Sequence, residues 1–198
     1  MSEIKVALFD VDGVLVQAAR LFSQIYAEKY GLNIEKFEPF FTGDFRLALA
    51  GKADLKELIL NNRELWQYGE PDQILDLWFE AENHPDYDLV EVIKERQAKG
   101  LVAFLATDQE KYRTKFIMTK MFPSIFDGIF ASSEIGYRKE SSEYWAAVLG
   151  RLSLREPGLQ PNNIAYFDDS QSNIDAANET GINAHLYKDI EQVKMVLG

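Results

Sequence analysis

The sequence contains no cysteine and only two histidines, His84 and His185, among its 198 residues. Without cysteine there is no disulfide framework, no thiolate zinc site and no cysteine nucleophile. With only two histidines, a histidine-based catalytic triad or metal cluster has little support. The absence of cysteine fits a reducing compartment, and we expect a cytoplasmic protein.

Basic residues are scarce relative to acidic ones, with 21 Lys and Arg against 32 Asp and Glu and a net charge of -11. This charge repels the phosphate backbone of nucleic acids and anionic lipid surfaces. No apolar run is long enough to span a bilayer, and the first residues lack the apolar stretch of a signal peptide. We therefore expect neither a nucleic-acid nor a membrane partner, and the choice between monomer and homodimer stays open.

Nucleotide-binding glycine motifs are also missing. No Gly-x-Gly-x-x-Gly occurs, and Gly51-Lys52 is followed by alanine rather than by serine or threonine. These absences give little support to a dinucleotide-binding or P-loop protein. The overall composition, 46% hydrophobic and 27% charged, is that of an ordinary globular protein. Its length allows one good core and one small second lobe.

Five short apolar runs are separated by stretches with helical periodicity. Buried parallel strands have this appearance because both of their faces are covered. Alternation of strands with helices predicts an α/β fold with a doubly wound parallel sheet. The predicted strands span residues 6–9, 101–106, 129–131, 164–167 and 184–187.

The gap between the first two predicted strands is much longer than one crossover helix requires. It contains helical segments at residues 19–30, 55–61 and 73–82. We interpret residues 17–88 as a smaller, all-helical cap domain inserted after the first strand. Residues 1–16 together with 89–198 then form the catalytic core.

Several residues of the predicted cap are of types that bind substrates. One interpretation is that they close over a bound substrate. The interpretation that we favour is that the aromatic residues pack among the cap helices and that the basic residues are solvated. These residues are Trp66, Tyr68, Trp78, Phe79, Arg46 and Lys52.

Pairs of carboxylates follow two of the predicted strands. Asp10 and Asp12 come after the first strand, and Asp168 and Asp169 end the fourth. Ligands bind at the carboxyl ends of the strands in such sheets. Four crowded acids repel one another unless a hard cation neutralises them, and oxygen ligands suit Mg²⁺. We predict a magnesium site here, although a turn at Asp12-Gly13 and helix capping by the second pair are the simpler alternatives.

Two other segments carry candidate anion-binding groups. Thr107 and Asp108 end the second predicted strand before a helical stretch, where a hydroxyl and amide groups can meet an anion. Capping of that helix is an equally good explanation. Lys139 lies in the loop after the third strand, where a lone lysine is usually solvated.

The joint order of these motifs resembles the haloacid dehalogenase superfamily. The segment from residue 167 to 177 is similar to the phosphatase branch that has a helical cap between the first two motifs, including sugar-phosphate phosphatases and phosphoglucomutase-like enzymes. The matching elements are Asp10-x-Asp12-Gly-Val, a strand ending in Thr107, Gly-x-Arg-Lys139, and Asp168-Asp169 with Asn173 four residues after the second acid.

This resemblance implies a Mg²⁺-dependent phosphatase that hydrolyses a small phosphorylated metabolite, such as a sugar phosphate, through an aspartyl-phosphate. Asp10 would be the nucleophile, and Asp12 the acid that protonates the leaving alcohol and then activates water. The metal would be held by Asp10, the backbone carbonyl of Asp12, Asp169, and Asp168 directly or through water. The phosphate would be held at Thr107, Asp108 and Lys139.

Two residues depart from the family pattern. Asp108 stands where the family usually has asparagine, and Glu140 stands where it usually has proline. Both add negative charge near the expected phosphate, which would weaken binding of a dianion. These two residues keep open a catalytically weak binding or regulatory protein. A phosphomutase of the same branch that reuses Asp10 is a separate alternative. A dehalogenase is less favoured because those enzymes generally lack an acid at Asp12.

Overall fold

The computed structural model describes residues 3–198, and at its centre lies one sheet of five parallel strands. The strand order is β3-β2-β1-β4-β5, so the chain reverses direction of travel across the sheet between β3 and β4. This arrangement confirms the predicted doubly wound α/β fold. The strands are β1 Val6–Phe9, β2 Val102–Thr107, β3 Ile129–Ala131, β4 Ile164–Asp168 and β5 Asn183–Leu186.

The register of the three central strands brings their carboxyl ends to one level. Phe9 of β1 lies opposite Leu105 of β2 on one side and Phe167 of β4 on the other. The residues that follow, including Asp10 and Asp168, therefore share one edge of the sheet. β1 and β4 flank the point where the strand order reverses, which is the usual ligand position in such sheets.

Two hydrophobic clusters cover the two faces of the sheet. Ala7 and Phe9 of β1 belong to one cluster, and Val6 and Leu8 belong to the other, as the alternation of a strand requires. The first face carries α6 (Tyr87–Gln97), a π-helical turn (Ile117–Met121) that continues α7 (Lys111–Phe116), and α11 (Ile190–Leu197). The second face carries α9 (Ser142–Arg155) and α10 (Gln171–Asn178), while α8 (Ser132–Ile135) follows β3.

A helical insertion fills the gap between β1 and α6, and a separate hydrophobic cluster lies at its centre. Trp66, Trp78 and Phe79 are buried in this cluster, which confirms that they pack among the helices. Arg46 and Lys52 are exposed, and Tyr68 is 45% exposed. The helices are α1 Phe22–Tyr30, α2 Glu38–Thr42, α3 Asp44–Leu49, α4 Leu55–Asn61 and α5 Pro71–Ala81.

The chain enters and leaves the insertion through two adjacent segments. The Gln17 amide donates to the His84 carbonyl at 3.3 Å, and the Asp86 amide donates to the Leu15 carbonyl at 2.8 Å. The predicted boundary at residue 88 falls in the first turn of α6, which begins at Tyr87. The division into cap and core domains stays a prediction. Within residues 3–198, no helix has the length and apolar character needed to cross a membrane.

Candidate active site

Three carboxylates meet at the carboxyl edge of β1 and β4. Asp10, Asp168 and Asp169 each offer one oxygen, and these oxygens lie within 4.8 Å of one another. Asp10 and Asp168 are buried, whereas Asp169 is exposed. Ionised carboxylates at this spacing repel each other, and a divalent cation with a preference for oxygen ligands removes that repulsion. The donor set therefore fits Mg²⁺.

The position of Asp169 depends on the absence of a side chain at Gly13. Gly13 has a φ of +83°, and a Cβ atom built on it would lie 2.1 Å from Asp169 Oδ2. The turn that was the simpler explanation of Asp12-Gly13 is present. It also leaves the space in which the Asp169 carboxylate lies.

We expect Gly13→Ala to weaken Mg²⁺ binding by about tenfold or more, the usual cost of disturbing the residues that support a metal ligand. The added methyl group would displace the Asp169 carboxylate and would also be strained at positive φ. Isothermal titration calorimetry of the metal-free protein with Mg²⁺ measures the change. Gly150→Ala in α9 is the control, because a Cβ there meets no atom within 4 Å. Equal Mg²⁺ affinities for the two variants would show that the space at Gly13 is not needed for Mg²⁺ binding by Asp169.

Lys139 binds two of the three carboxylates. Its Nζ lies 2.7 Å from Asp10 Oδ2 and 2.7 Å from Asp168 Oδ2, and the lysine is 2% exposed. The alternative that Lys139 is an ordinary solvated lysine is therefore wrong. Burial alone would lower the pKa of Lys139, but the charges of Asp10 and Asp168 outweigh burial and raise it. Lys139 is a permanent cation beside the carboxylates.

Asp168 is held in place by four donors. Besides Lys139, it accepts hydrogen bonds from the Tyr166 hydroxyl, from Asn173 Nδ2 at 3.1 Å and from the Ser170 amide at 2.7 Å. Burial would raise the pKa of Asp168, but Lys139 and the hydrogen bonds lower it. The N-cap of α10 is Ser170, and no side chain caps it, so helix capping does not account for the acid pair.

The two buried acids of the cluster have pKa values shifted in opposite directions, upward for Asp10 and downward for Asp168. Burial raises the pKa of Asp10 to about 7, against the opposing effect of Lys139 and with a further increase from Asp168. A cation near Asp10 favours its carboxylate form, which is the form that acts as a nucleophile or a metal ligand.

The Asp12 carboxylate does not join the cluster, so three of the four predicted metal-site carboxylates come together. Asp12 Oδ1 accepts from Arg113 Nη2 at 2.7 Å, and Oδ2 accepts from Gln109 Nε2 at 2.5 Å. The next residue, Gly13, lies against the Asp169 carboxylate of the cluster. Both carboxylate oxygens of Asp12 are thereby fixed in orientation.

Arg113 also connects Asp12 to the helical insertion. Its Nη1 donates to Glu82, which in turn accepts from Trp78 Nε1 at 2.9 Å and from the Phe22 amide at 2.9 Å. No motif in the sequence predicts Arg113, Gln109 or Glu82 as site residues. Arg113 lies four residues before the buried Ile117, and a basic residue on an inward-facing side of a helix was the one available signal.

Thr107 and Asp108 lie at the end of β2 but do not cap α7. The cap is Glu110, which accepts from the amides of Tyr112 at 2.8 Å and Arg113 at 2.5 Å, so the capping explanation is wrong. Thr107 is buried. The Asp108 carboxylate accepts from the Lys139 amide at 3.0 Å and from Arg138 Nε at 3.1 Å. Arg138 thus offsets the extra negative charge.

An open basin of about 380 Å³ joins these groups. A second cavity of about 370 Å³ adjoins it, and the two share Asp12, Gly13 and Asp108. Asp168 lies beneath the basin rather than in its wall. The predicted site residues that line the basin are Asp10, Asp12, Thr107, Asp108, Lys139 and Asp169.

A family model described as haloacid dehalogenase-like hydrolase matches residues 4–181, most of the chain. The chain belongs to this hydrolase family. The resemblance seen in the sequence is thus confirmed for the haloacid dehalogenase-like hydrolases as a whole.

Solved structures of haloacid dehalogenase (HAD) hydrolases are similar over nearly the whole chain. A HAD family enzyme from Bacteroides thetaiotaomicron is 25% identical with a TM-score of 0.75, covering 94% of this chain and 95% of that chain. The wild-type form of that enzyme was also solved in complex with magnesium and inorganic phosphate, with 25% identity, a TM-score of 0.74 and coverage of 93% and 94%.

More distant relatives agree in fold. A predicted HAD-like hydrolase from Porphyromonas gingivalis is 17% identical with a TM-score of 0.77, covering 99% of this chain and 98% of that chain. A dehalogenase is 11% identical with a TM-score of 0.69, covering 100% and 98%. At these identities the likeness shows the fold alone. This HAD-like hydrolase therefore has the HAD fold.

Proposed function

We propose that this HAD-like hydrolase is a Mg²⁺-dependent phosphatase that hydrolyses a small phosphate monoester through an aspartyl-phosphate on Asp10. The observation that carries the proposal is the contact of Asp10 with Lys139, 2.7 Å apart, in a cluster of three carboxylates. A relative solved with both magnesium and inorganic phosphate supports this assignment. The sequence resemblance adds sugar phosphates or similar metabolites as expected substrates.

The metal would be held by Asp10, Asp169 and the backbone carbonyl of Asp12, with Asp168 direct or through water. When bound, Mg²⁺ supplies positive charge that offsets the carboxylates and the phosphoryl oxygens. Asp168 already accepts hydrogen bonds from Lys139, Tyr166, Ser170 and Asn173. We therefore assign Asp168 mainly to the placement of Lys139 and of the metal ligands.

The residues of the basin divide the reaction between them. A carboxylate oxygen of Asp10 attacks phosphorus, and the bond between phosphorus and the leaving oxygen breaks. The Lys139 ammonium and the Thr107 hydroxyl bind the phosphoryl oxygens, and Asp108 contributes through its backbone because its carboxylate is already paired. Asp12 gives a proton to the leaving alcohol. It then takes one from the water that hydrolyses the aspartyl-phosphate.

The rival functions differ from this proposal in product. A phosphomutase returns the phosphoryl group to an isomerised ester, a dehalogenase releases halide, and a silent binding protein releases neither. The pairing of Asp10 with Lys139 favours an active enzyme over a catalytically inactive binding protein. Asp12 favours an alcohol leaving group over halide. We further propose a cytoplasmic protein without nucleic-acid or membrane partners, in line with its charge of -11.

Acetyl phosphate tests the reaction independently of the substrate's organic part. We expect phosphate release from acetyl phosphate to fall by about 10²-fold or more when EDTA removes the metal, and to return with Mg²⁺. Acid quenching followed by peptide mass spectrometry should place one phosphoryl group on Asp10. Metal-independent release, or a phosphoryl group on another residue, would overturn the proposal. Release of halide from a 2-haloacid, or isomerisation of a sugar phosphate without phosphate release, would favour a rival.

A further inference from the structure

The cavity beside the basin has predominantly apolar walls. Its volume of about 370 Å³ lies within the range of small-molecule binding sites. It extends from the carboxyl edge of the sheet into the helical insertion, and α1, α3 and α5 each contribute to its wall. The apolar lining comes chiefly from Leu21, Phe22, Phe41, Phe45, Leu49 and Trp78.

The charges around this cavity disfavour an anionic occupant. Of the described residues that line it, Arg113 is the only cation, and it already binds Asp12 and Glu82. Asp108 is a third carboxylate in the wall. Arg138, the partner of Asp108, does not line the cavity, so the described lining holds three acids and one base. A carboxylate or a second phosphate on the substrate's organic part would meet repulsion, and Arg113, the one cation of the described lining, is already shared between two carboxylates.

Most polar groups of the lining are already hydrogen-bonded within the protein. Gln109 Nε2 donates to Asp12, and Gln17 Nε2 donates to the Gly13 carbonyl at 3.0 Å. Glu82 accepts from Trp78 Nε1, the Phe22 amide and Arg113. A polyhydroxylated body needs many partners for its hydroxyl groups when it leaves water. The cavity offers such a body few.

We propose that the leaving group of the substrate is a neutral alcohol with an apolar, ring-sized body that occupies this cavity. This inference rests on the proposed phosphatase function and narrows its substrate class. The phosphate would lie in the basin, and the ester oxygen would lie at Asp12, where basin and cavity meet. We therefore expect apolar phosphate esters to be better substrates than the sugar phosphates that the resemblance implies, because aromatic side chains pack best against apolar surface.

Four primary alkyl phosphates separate the possible leaving groups. Benzyl phosphate is neutral and apolar beyond its phosphate, glucose 6-phosphate is polyhydroxylated, 3-phosphoglycerate is anionic and phosphoethanolamine is cationic. With saturating Mg²⁺ and the full-length protein, we expect kcat/KM for benzyl phosphate to exceed each of the others by about tenfold or more. A higher or equal value for any of the other three would overturn the inference.

Leu49→Lys adds a cation to the cavity wall, and Leu47→Lys is its matched control. Both residues lie on α3, but Leu49 lines the cavity whereas Leu47 is exposed and does not. We expect Leu49→Lys to lower kcat/KM for benzyl phosphate about tenfold and to raise it for 3-phosphoglycerate by a similar factor. Leu47→Lys should leave both values within about twofold of wild type.

Equal behaviour of the two lysine variants would also overturn the inference. If Leu49→Lys fails to fold, Leu21→Lys makes the same test, because Leu21 lines the cavity and is 62% exposed. Acetyl phosphate distinguishes an error in the proposed leaving group from an error in the proposed phosphatase function. If Asp10-dependent release from acetyl phosphate persists without a preference for benzyl phosphate, only the substrate class is wrong. If acetyl phosphate and all four esters are inert, the proposed function itself is wrong.

Discussion

Asp10→Asn should abolish phosphate release from every substrate, with a loss in kcat of about 10³-fold or more, as expected when a covalent nucleophile is removed. The amide oxygen of asparagine is a poor nucleophile toward phosphorus, and the amide is also a weaker metal ligand than a carboxylate. Lys139 keeps its other partner, Asp168, so the fold should persist. Phosphate release from acetyl phosphate measures the loss of activity, and thermal melting shows whether the fold persists.

Asp169→Asn separates the nucleophile from a metal ligand. Asp169 belongs to the same cluster but is exposed, and it is not a partner in either of Lys139's two ion pairs. Its substitution should raise the Mg²⁺ concentration needed for half-maximal rate, and excess Mg²⁺ should restore much of the activity. Excess Mg²⁺ should not restore Asp10→Asn. Wild-type turnover by Asp10→Asn would show that the nucleophile is assigned wrongly.

The central strands were predictable because parallel strands buried on both faces appear as continuous apolar runs. The runs at Val6–Phe9 and Ile129–Ala131 have the same bounds in the structure as in the prediction. The last strand was predicted one residue late, because it begins at Asn183. It is an edge strand whose residues are half-buried or exposed, so an apolar run does not define its ends.

Helices of the insertion were predictable where they are long enough or clearly capped. The segment Leu55–Asn61 was found with its observed bounds, and Asp54 caps it by accepting from the Lys56 amide at 2.8 Å. Helices α2 and α3 were not found. They have five and six residues, with Gly43 between them, and such short helices show no reliable periodicity.

The convergence of Asp10, Asp168 and Asp169 follows from topology, because adjacent parallel strands end at one edge of the sheet. The orientation of Asp12 does not follow from topology. The chain has left β1 at Asp12, and Gln109, in the loop before α7, and Arg113 of α7 decide where the carboxylate points. The contact of Arg113 with Glu82 depends on how the insertion packs on α7, which no local pattern encodes.

Arg113→Ala should lower the free energy of unfolding by about 3–5 kcal/mol, the usual cost of removing one partner of a buried ion pair. The side chains of Arg113 and Glu82 are only 5% and 12% exposed, so the variant leaves Glu82 with an uncompensated charge. Urea denaturation followed by fluorescence measures the change. Arg20→Ala is the control, because Arg20 and Glu28 are 51% and 69% exposed, and its effect should stay below about 1 kcal/mol.

Glu82→Gln should recover part of the stability lost in Arg113→Ala, because a neutral side chain at residue 82 no longer needs a cation. A second readout tests whether Arg113 also positions Asp12, to which it donates at 2.7 Å. In the first step acetate leaves without a proton, whereas an alcohol needs one from Asp12; hydrolysis of the aspartyl-phosphate uses Asp12 for both substrates. In single-turnover measurements, Arg113→Ala should therefore slow formation of the aspartyl-phosphate much more from an alkyl phosphate than from acetyl phosphate. Equal losses in this first step would mean that Arg113 does not position Asp12 for proton donation.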